Sequence, residues 1–275
     1  HDIDWLLHTR GEVSIEDDRQ TLTCSVPSYI NDETISLQVA FLEKIDKIET
    51  STGYFFPENY REDYPYEDYK TSQIQAKYQG KNNPLMATVL YPKNDSNALH
   101  TFPTIQKEDN GLKRIGSSDL LYYDMESSVK KFSNPSLEFE GRLFFLRQNS
   151  SESTKLDYSY LQDAEELTYE NTNYFSSSTF LDYILINYAN SSQVSGYINL
   201  ASESEVRVSL FSPFSTIKTF QLNGKETDYS QEDSKISFSV EESTSFAFGS
   251  IPTVEEVEKD RSEEHTSELQ SLLII

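Results

Sequence analysis

Residues 205–211 read EVRVSLF. Val206, Val208 and Leu210 share one parity, and Arg207 and Ser209 share the other. Successive side chains of a strand point to opposite faces, so this stretch has one apolar face and one polar face. A sheet with one side on a core and the other in water needs that pattern. Other strand-like runs are IDWLLH (3–8), TLTCSV (21–26), ETISLQVAFLEKI (33–45), SQIQAKY (72–78), LMATVLYP (85–92) and DLLYYDME (119–126). The series continues with LEFEGRLFFLRQ (137–148), FLDYILINYA (180–189), SGYINLA (195–201), IKTFQL (217–222), KISFSV (235–240) and TSFAFG (244–249). Asn223-Gly224 follows a strand and marks a type I′ hairpin turn, whose positive φ angles suit those residues. Convincing helical periodicity is scarce before residue 253, and no fixed-period repeat is visible. The expected fold class is all-β: antiparallel β-sandwich layers, possible as two modules.

The organisation along the chain follows from breaks in that pattern. Residues 126–136, ESSVKKFSNPS, form a soft boundary. They either divide a sandwich over 1–126 from a β-rich portion over 127–252 or simply connect two layers. Residues 50–70, TSTGYFFPENYREDYPYEDYK, carry turn formers and no strand pattern, and read as a long aromatic, acidic loop. A tail occupies 253–275. Within it, RSEEHTSELQS (261–271) resembles the in-frame translation of a sequencing adapter, so His265 is given no function. At the other end, DIDWLLHTRGEV (2–13) is already a strand when the sequence opens. We read that opening as the edge of something longer, with N-terminal strands missing. Sheet edges left open in this way are sticky, and we expect the chain alone to be poorly soluble.

Composition narrows the partners. The chain has 275 residues, enough for one large β domain or two smaller ones. Its 18 Tyr and 16 Phe indicate a folded core that leans on rings. A formal charge of −23 argues against nucleic acid, which demands a basic footprint, and against an anionic membrane surface. A single cysteine, Cys24, rules out an internal disulfide. It sits in a strand without basic neighbours in sequence and reads as a buried, inert thiol. Asn-x-Ser sequons begin at Asn94, Asn149 and Asn190.

Candidate sites are few. His8 shares a strand face with Asp2, Asp4 and Leu6, opposite Trp5. It is either a residue facing a cleft or a hydrogen-bonded sheet histidine; a lone histidine lacks the several ligands that a metal needs. Tyr54, Tyr60, Tyr64 and Tyr66 lie in the aromatic loop and can either stack on sugar rings or pack the loop down. Acidic Glu58, Glu62, Asp63, Glu67 and Asp68 alternate with them and would repel an anionic polymer. EDD (16–18) and NDS (94–96) offer oxygen ligands without EF-hand spacing, and read as solvated turns. DYSYL (157–161) and DYIL (182–185) hold tyrosines able to act as acids, with no partner in sequence to single one out. No phosphate loop, nucleophile elbow or zinc-hydrolase helix is present.

Several stretches, in order, resemble the C-terminal β region of heparinase II/III-like polysaccharide lyases. They are DIDWLLHTRGEVSIEDDRQ (2–20), GYFFPENYREDYP (53–65), GKNNPLMATVLYP (80–92), LEFEGRLFFLR (137–147) and QLNGKETDY (221–229). The resemblance spans roughly residues 1–250. It implies a helical toroid ahead of an antiparallel β-sandwich, and β-elimination on uronic-acid polysaccharides. In that chemistry an amide, His or Arg neutralises the uronate, a Tyr or His removes the C5 proton, and a Tyr protonates the leaving oxygen. The family's helical domain supplies most of those groups. Its sandwich histidine and occasional metal site precede the Trp-Leu-Leu-His run. No catalytic or metal residue therefore transfers to this sequence. No cofactor is expected within it, while a metal upstream stays open. The implied partners are an acidic polysaccharide, met through the full-length enzyme, and the helical toroid. The implied location is periplasmic or extracellular. The alternative is a freestanding carbohydrate-binding or structural sandwich.

Overall fold

The structure, a computed structural model, describes residues 2–16, 20–27, 33–54, 70–79, 87–94, 102–124, 130–202, 204–250 and 272–274. Every regular element among them is a strand, and every strand pairing is antiparallel. The all-β expectation holds. The chain divides into two compact units, His1–Phe102 with Lys259–Ile275, and Pro103–Glu258. The boundary expected at 126 falls inside the second unit. Strands on both sides of it belong to the same sheet, because local turn composition does not reveal which strands pair.

The first unit holds β1 (Asp2–Thr9), β2 (Glu12–Ile15), β3 (Thr21–Pro27), β4 (Thr34–Phe41), β5 (Lys47–Tyr54), β6 (Lys70–Gln79) and β7 (Thr88–Asn94). One sheet runs β1-β6-β5, and a second contains β2-β3-β4-β7. The alternation seen in sequence places Ile74 and Ala76 of β6 against Leu22 and Cys24 of β3 and Val39 and Phe41 of β4. Trp5 packs on this core and meets Phe41 edge-on at 5.2 Å. Gly11 makes the β1–β2 turn possible, since a Cβ there would lie 2.0 Å from the Ser25 carbonyl oxygen. Residues 50–54, expected as loop, belong instead to β5. This is an edge strand in which Ile48 packs on the core and Thr50, Ser51 and Thr52 are exposed, so the usual alternation is missing.

The second unit contains β8 (Ile105–Lys107), β9 (Lys113–Ile115), β10 (Asp119–Tyr123), β11 (Lys130–Asn134), β12 (Leu137–Gly141), β13 (Leu143–Gln148), β14 (Leu156–Tyr169) and β15 (Thr172–Asn187). It continues with β16 (Gln193–Asn199), β17 (Val206–Phe211), β18 (Thr219–Leu222), β19 (Lys225–Glu226), β20 (Ser230–Glu232), β21 (Lys235–Val240) and β22 (Thr244–Gly249). All belong to a single hydrogen-bonded sheet of 15 strands that folds over itself. The first part of β14 pairs with β13, and its last residues pair with β12. Likewise β15 pairs first with β17 and then with β16. The register shifts between Ala164 and Glu166, beside Asp163 at φ 46°. Bulges of this kind let a strand pass from one layer to the other.

The enclosed core takes Phe144, Leu161, Ile184 and Phe248 from one layer and Phe139, Phe175, Val208 and Phe238 from the other. Residues with positive φ close several hairpins, β18–β19 and β14–β15 among them. Asn223 (50°) and Gly224 (75°) join β18 to β19, as their sequence predicts. Glu170 (47°) and Asn171 (61°) join β14 to β15 without the expected glycine. Finally, β23 (Leu272–Ile274) pairs with β7. The remainder of the tail, with its helix-prone composition, lies outside the described residues.

Candidate functional site

Register decides which side chains share the outer face of the layer built from β13, β14, β15 and β16. Ser159 and Leu161 of β14 are fully buried, as are Ile184 and Ile186 of β15. The residues between them therefore point outward: Tyr158, Tyr160 and Gln162 on β14, Tyr183 and Leu185 on β15. Phe145 lies opposite Tyr160 on β13, and Tyr197 lies opposite Leu185 on β16. A water-facing sheet surface ordinarily carries Ser, Thr, Lys or Glu at such positions. Here four tyrosines, a phenylalanine and a leucine form one patch, covered toward β13 and β10, where Leu143 and Leu121 on the same face are buried.

The rings meet diagonally across the strands. Tyr160 and Tyr183 have centroids 5.9 Å apart with planes at 32°, and Tyr183 and Tyr197 repeat the 5.9 Å spacing at 28°. Phe145 meets Tyr158 at 6.1 Å on the flank. Such near-parallel, offset contacts are favourable for ring quadrupoles and support the sheet. Packing alone does not use the phenol oxygens, however. Among the described residues, the hydroxyls of Tyr158, Tyr160, Tyr183 and Tyr197 have no hydrogen-bond partner. Tyr197 is 36% exposed, so the row is open to solvent at its β16 end.

The electrostatics of the row are acidic. Burial raises the Tyr160 phenol above its ordinary pKa, and the neighbouring Tyr183, Asp182 and Asp163 push it further up. Burial does the same to Tyr158, with Tyr160 adding to the rise and Arg147 opposing it. Arg147 is engaged by Asp119 through two hydrogen bonds of 2.8 Å, with the Asp119 side chain almost fully covered. Asp182 accepts a hydrogen bond from the Asn199 amide. The Tyr158 and Tyr160 phenols thus stay protonated at neutral pH, as hydrogen-bond donors and poor bases.

The residues named from sequence are distributed differently. His8 lies on β1 opposite Gln73, exposed beside Leu6, which is itself 60% exposed. It has no hydrogen bond or ion pair among the described residues. Tyr54 ends β5, but its side chain is outside the described residues, as are Tyr60, Tyr64 and Tyr66. The Asp17-Asp18 pair and residues 95–96 are outside them too. Cys24 is buried, and burial drives its thiol up to about 11. Among the described residues, no three His, Cys, Asp or Glu gather as a metal site. No described helix is long and apolar enough to cross a membrane.

A concavity of about 550 Å³ opens beside the β18–β19 hairpin, lined by Asn223, Lys225, Ser239, Glu241 and Glu242 among others. It is polar and shallow, and Asn223 is already committed, accepting from the Ser245 backbone N–H at 3.0 Å. The tyrosine row is the stronger candidate. It unites the DYSYL and DYIL segments with Tyr197, which in sequence is an ordinary strand residue. Sequence offers only the tyrosines of DYSYL and DYIL, and the register joins them to Tyr197. No family model and no curated protein matches the chain.

Proposed function

We propose that this chain is the C-terminal, non-catalytic β-sandwich portion of a polysaccharide lyase. That enzyme would cleave uronic-acid-containing chains, of glycosaminoglycan or alginate type, by β-elimination. The observation that carries the reading is where the family-like stretches fall. DIDWLLHT is β1, TVLYPKN is β7, LEFEG and LFFLRQ are β12 and β13, and the Asn223-Gly224 turn closes β18 onto β19. Each supplies sheet, core or turn, which is the role expected of a scaffold. The groups for proton abstraction and leaving-group protonation belong, on this reading, to a helical toroid that precedes it. Secretion to the periplasm or beyond goes with a polymeric substrate.

Extending the reading frame upstream of His1 in the source transcript is the test. A helical domain with an Asn, His and Tyr constellation is the expected result. A start codon and signal sequence directly before Asp2 would overturn it. Purified chain should also release no unsaturated uronate, followed by ultraviolet absorbance, from alginate or heparan sulfate. A freestanding carbohydrate-binding sandwich is the second reading, and the outward tyrosine row is what favours it.

A further inference from the structure

We propose that the outer face of β14, β15 and β16 is a binding site for an uncharged polysaccharide, with Tyr160, Tyr183 and Tyr197 as its stacking residues. The inference rests on the polysaccharide reading for its choice of sugar as the ligand. It departs from that reading in naming a neutral chain, distinct from the uronate substrate.

Three observations converge. The row crosses two strand spacings, about 10 Å, which gives a short run of hexose rings a continuous aromatic footing. Its ring contacts, at 5.9 Å, fix the tyrosines before any ligand arrives, so little side-chain freedom is lost on binding. The phenol oxygens lack protein partners among the described residues, leaving donors and acceptors for sugar hydroxyls. A flanking amide extends the supply: Gln162 lies opposite Leu143 and beside the row.

Charge selects the class of sugar. Asp182 and Asp163 act on Tyr160, while the nearby cations are held by carboxylates, Arg147 by Asp119 and Arg142 by Asp163, which leaves Asp182 without a paired cation among the described residues. A carboxylated or sulfated chain would meet net repulsion here, and the overall charge of −23 adds to it. A neutral glycan avoids that cost and still stacks on the rings.

Affinity electrophoresis of the full chain tests the proposal, with hydroxyethylcellulose, glucomannan, alginate or chitosan cast in the native gel. Retardation by a neutral polymer, insensitive to salt and absent with alginate, is expected. Tyr197→Ala and Tyr183→Ala should each weaken it roughly three- to tenfold, the worth of one aromatic contact. Tyr183→Phe keeps the ring and should retain most of the binding. Tyr197 is exposed enough that its truncation leaves the core intact, and an unchanged melting temperature verifies this. Four results would overturn the proposal: no retardation by either neutral polymer, equal retardation of wild type and both alanine variants, retardation by alginate alone, or salt-sensitive retardation by chitosan alone. None of them bears on whether a helical domain lies upstream, so failure of this site and failure of the lyase reading are separable.

Discussion

At the scale of single residues, burial acts on Cys24 and Tyr174 in the same direction. The thiol rises from 9.0 to about 11 and the phenol from 10.0 to about 12, each mainly because its charged form would be desolvated. Both groups are neutral when protonated, and both hold their protons more tightly when folded. Their contribution to stability is complete below the unfolded pKa and is lost as pH climbs through the folded one. Each is worth on the order of 2 kcal/mol. We therefore expect urea midpoints to hold steady up to about pH 9 and to fall between there and about pH 12. Tyr174→Phe should flatten that fall, and a slope unchanged by the substitution would show that Tyr174 does not titrate on unfolding. The same scale shows what a linear sequence hides about the site. Tyr158, Tyr160 and Tyr183 are legible in sequence only as tyrosines of DYSYL and DYIL able to act as acids. Nothing local distinguishes them from the other tyrosines, because their neighbours across the strands depend on three registers. The inert reading of Cys24, by contrast, needed only its own strand and its lack of basic neighbours.

At the scale of elements, strands with clean alternation were legible and the bent ones were not. From Ser159 onward the buried positions of β14 run Ser159, Leu161, then Ala164, then Leu167 and Tyr169. Asp163, with φ at 46°, and the register shift that follows change the parity twice, so LQDAEEL looks like nothing that repeats every second residue. The turn after it, Glu170-Asn171, carries positive φ without glycine and gave no signal either. Asn223-Gly224 gave a strong one. Two glycines set up a contrast that can be measured. At Gly196 on β16 a Cβ would meet the Leu185 carbonyl oxygen at 2.0 Å and the Phe246 ring at 2.4 Å. Gly196→Ala must therefore displace a backbone or a core ring, costing about 1–3 kcal/mol or more. At Gly224 a Cβ would meet nothing within 4 Å, and only the φ of 75° opposes it. Gly224→Ala should cost about 1 kcal/mol. Chemical denaturation of the two variants, run side by side, ranks them; the reverse order would mean that β16 and β22 are less closely packed than described.

At the scale of the whole molecule, charge opposes compaction. Asp and Glu number 46 against 23 Lys and Arg. Many of the ion pairs present, such as Lys47–Glu49 and Lys155–Glu152, are well exposed and contribute little. Net self-repulsion should thus outweigh local attraction, and screening should relieve it. The melting temperature is expected to rise by several degrees as sodium chloride increases from about 0.01 M, where the screening length is near 30 Å, to about 1 M, where it is near 3 Å. A fall over that range would mean that attractive pairs dominate instead. Topology has a separate effect in the second unit, whose sandwich is one sheet continued around a bend by β14 and β15. A sandwich made from two independent sheets can come apart at the gap between them. This one has no such gap, because the same two strands are the hydrogen-bonding partners of both halves. Peeling either half away strips the neighbours from the other, so a surviving half-sandwich is not an available intermediate.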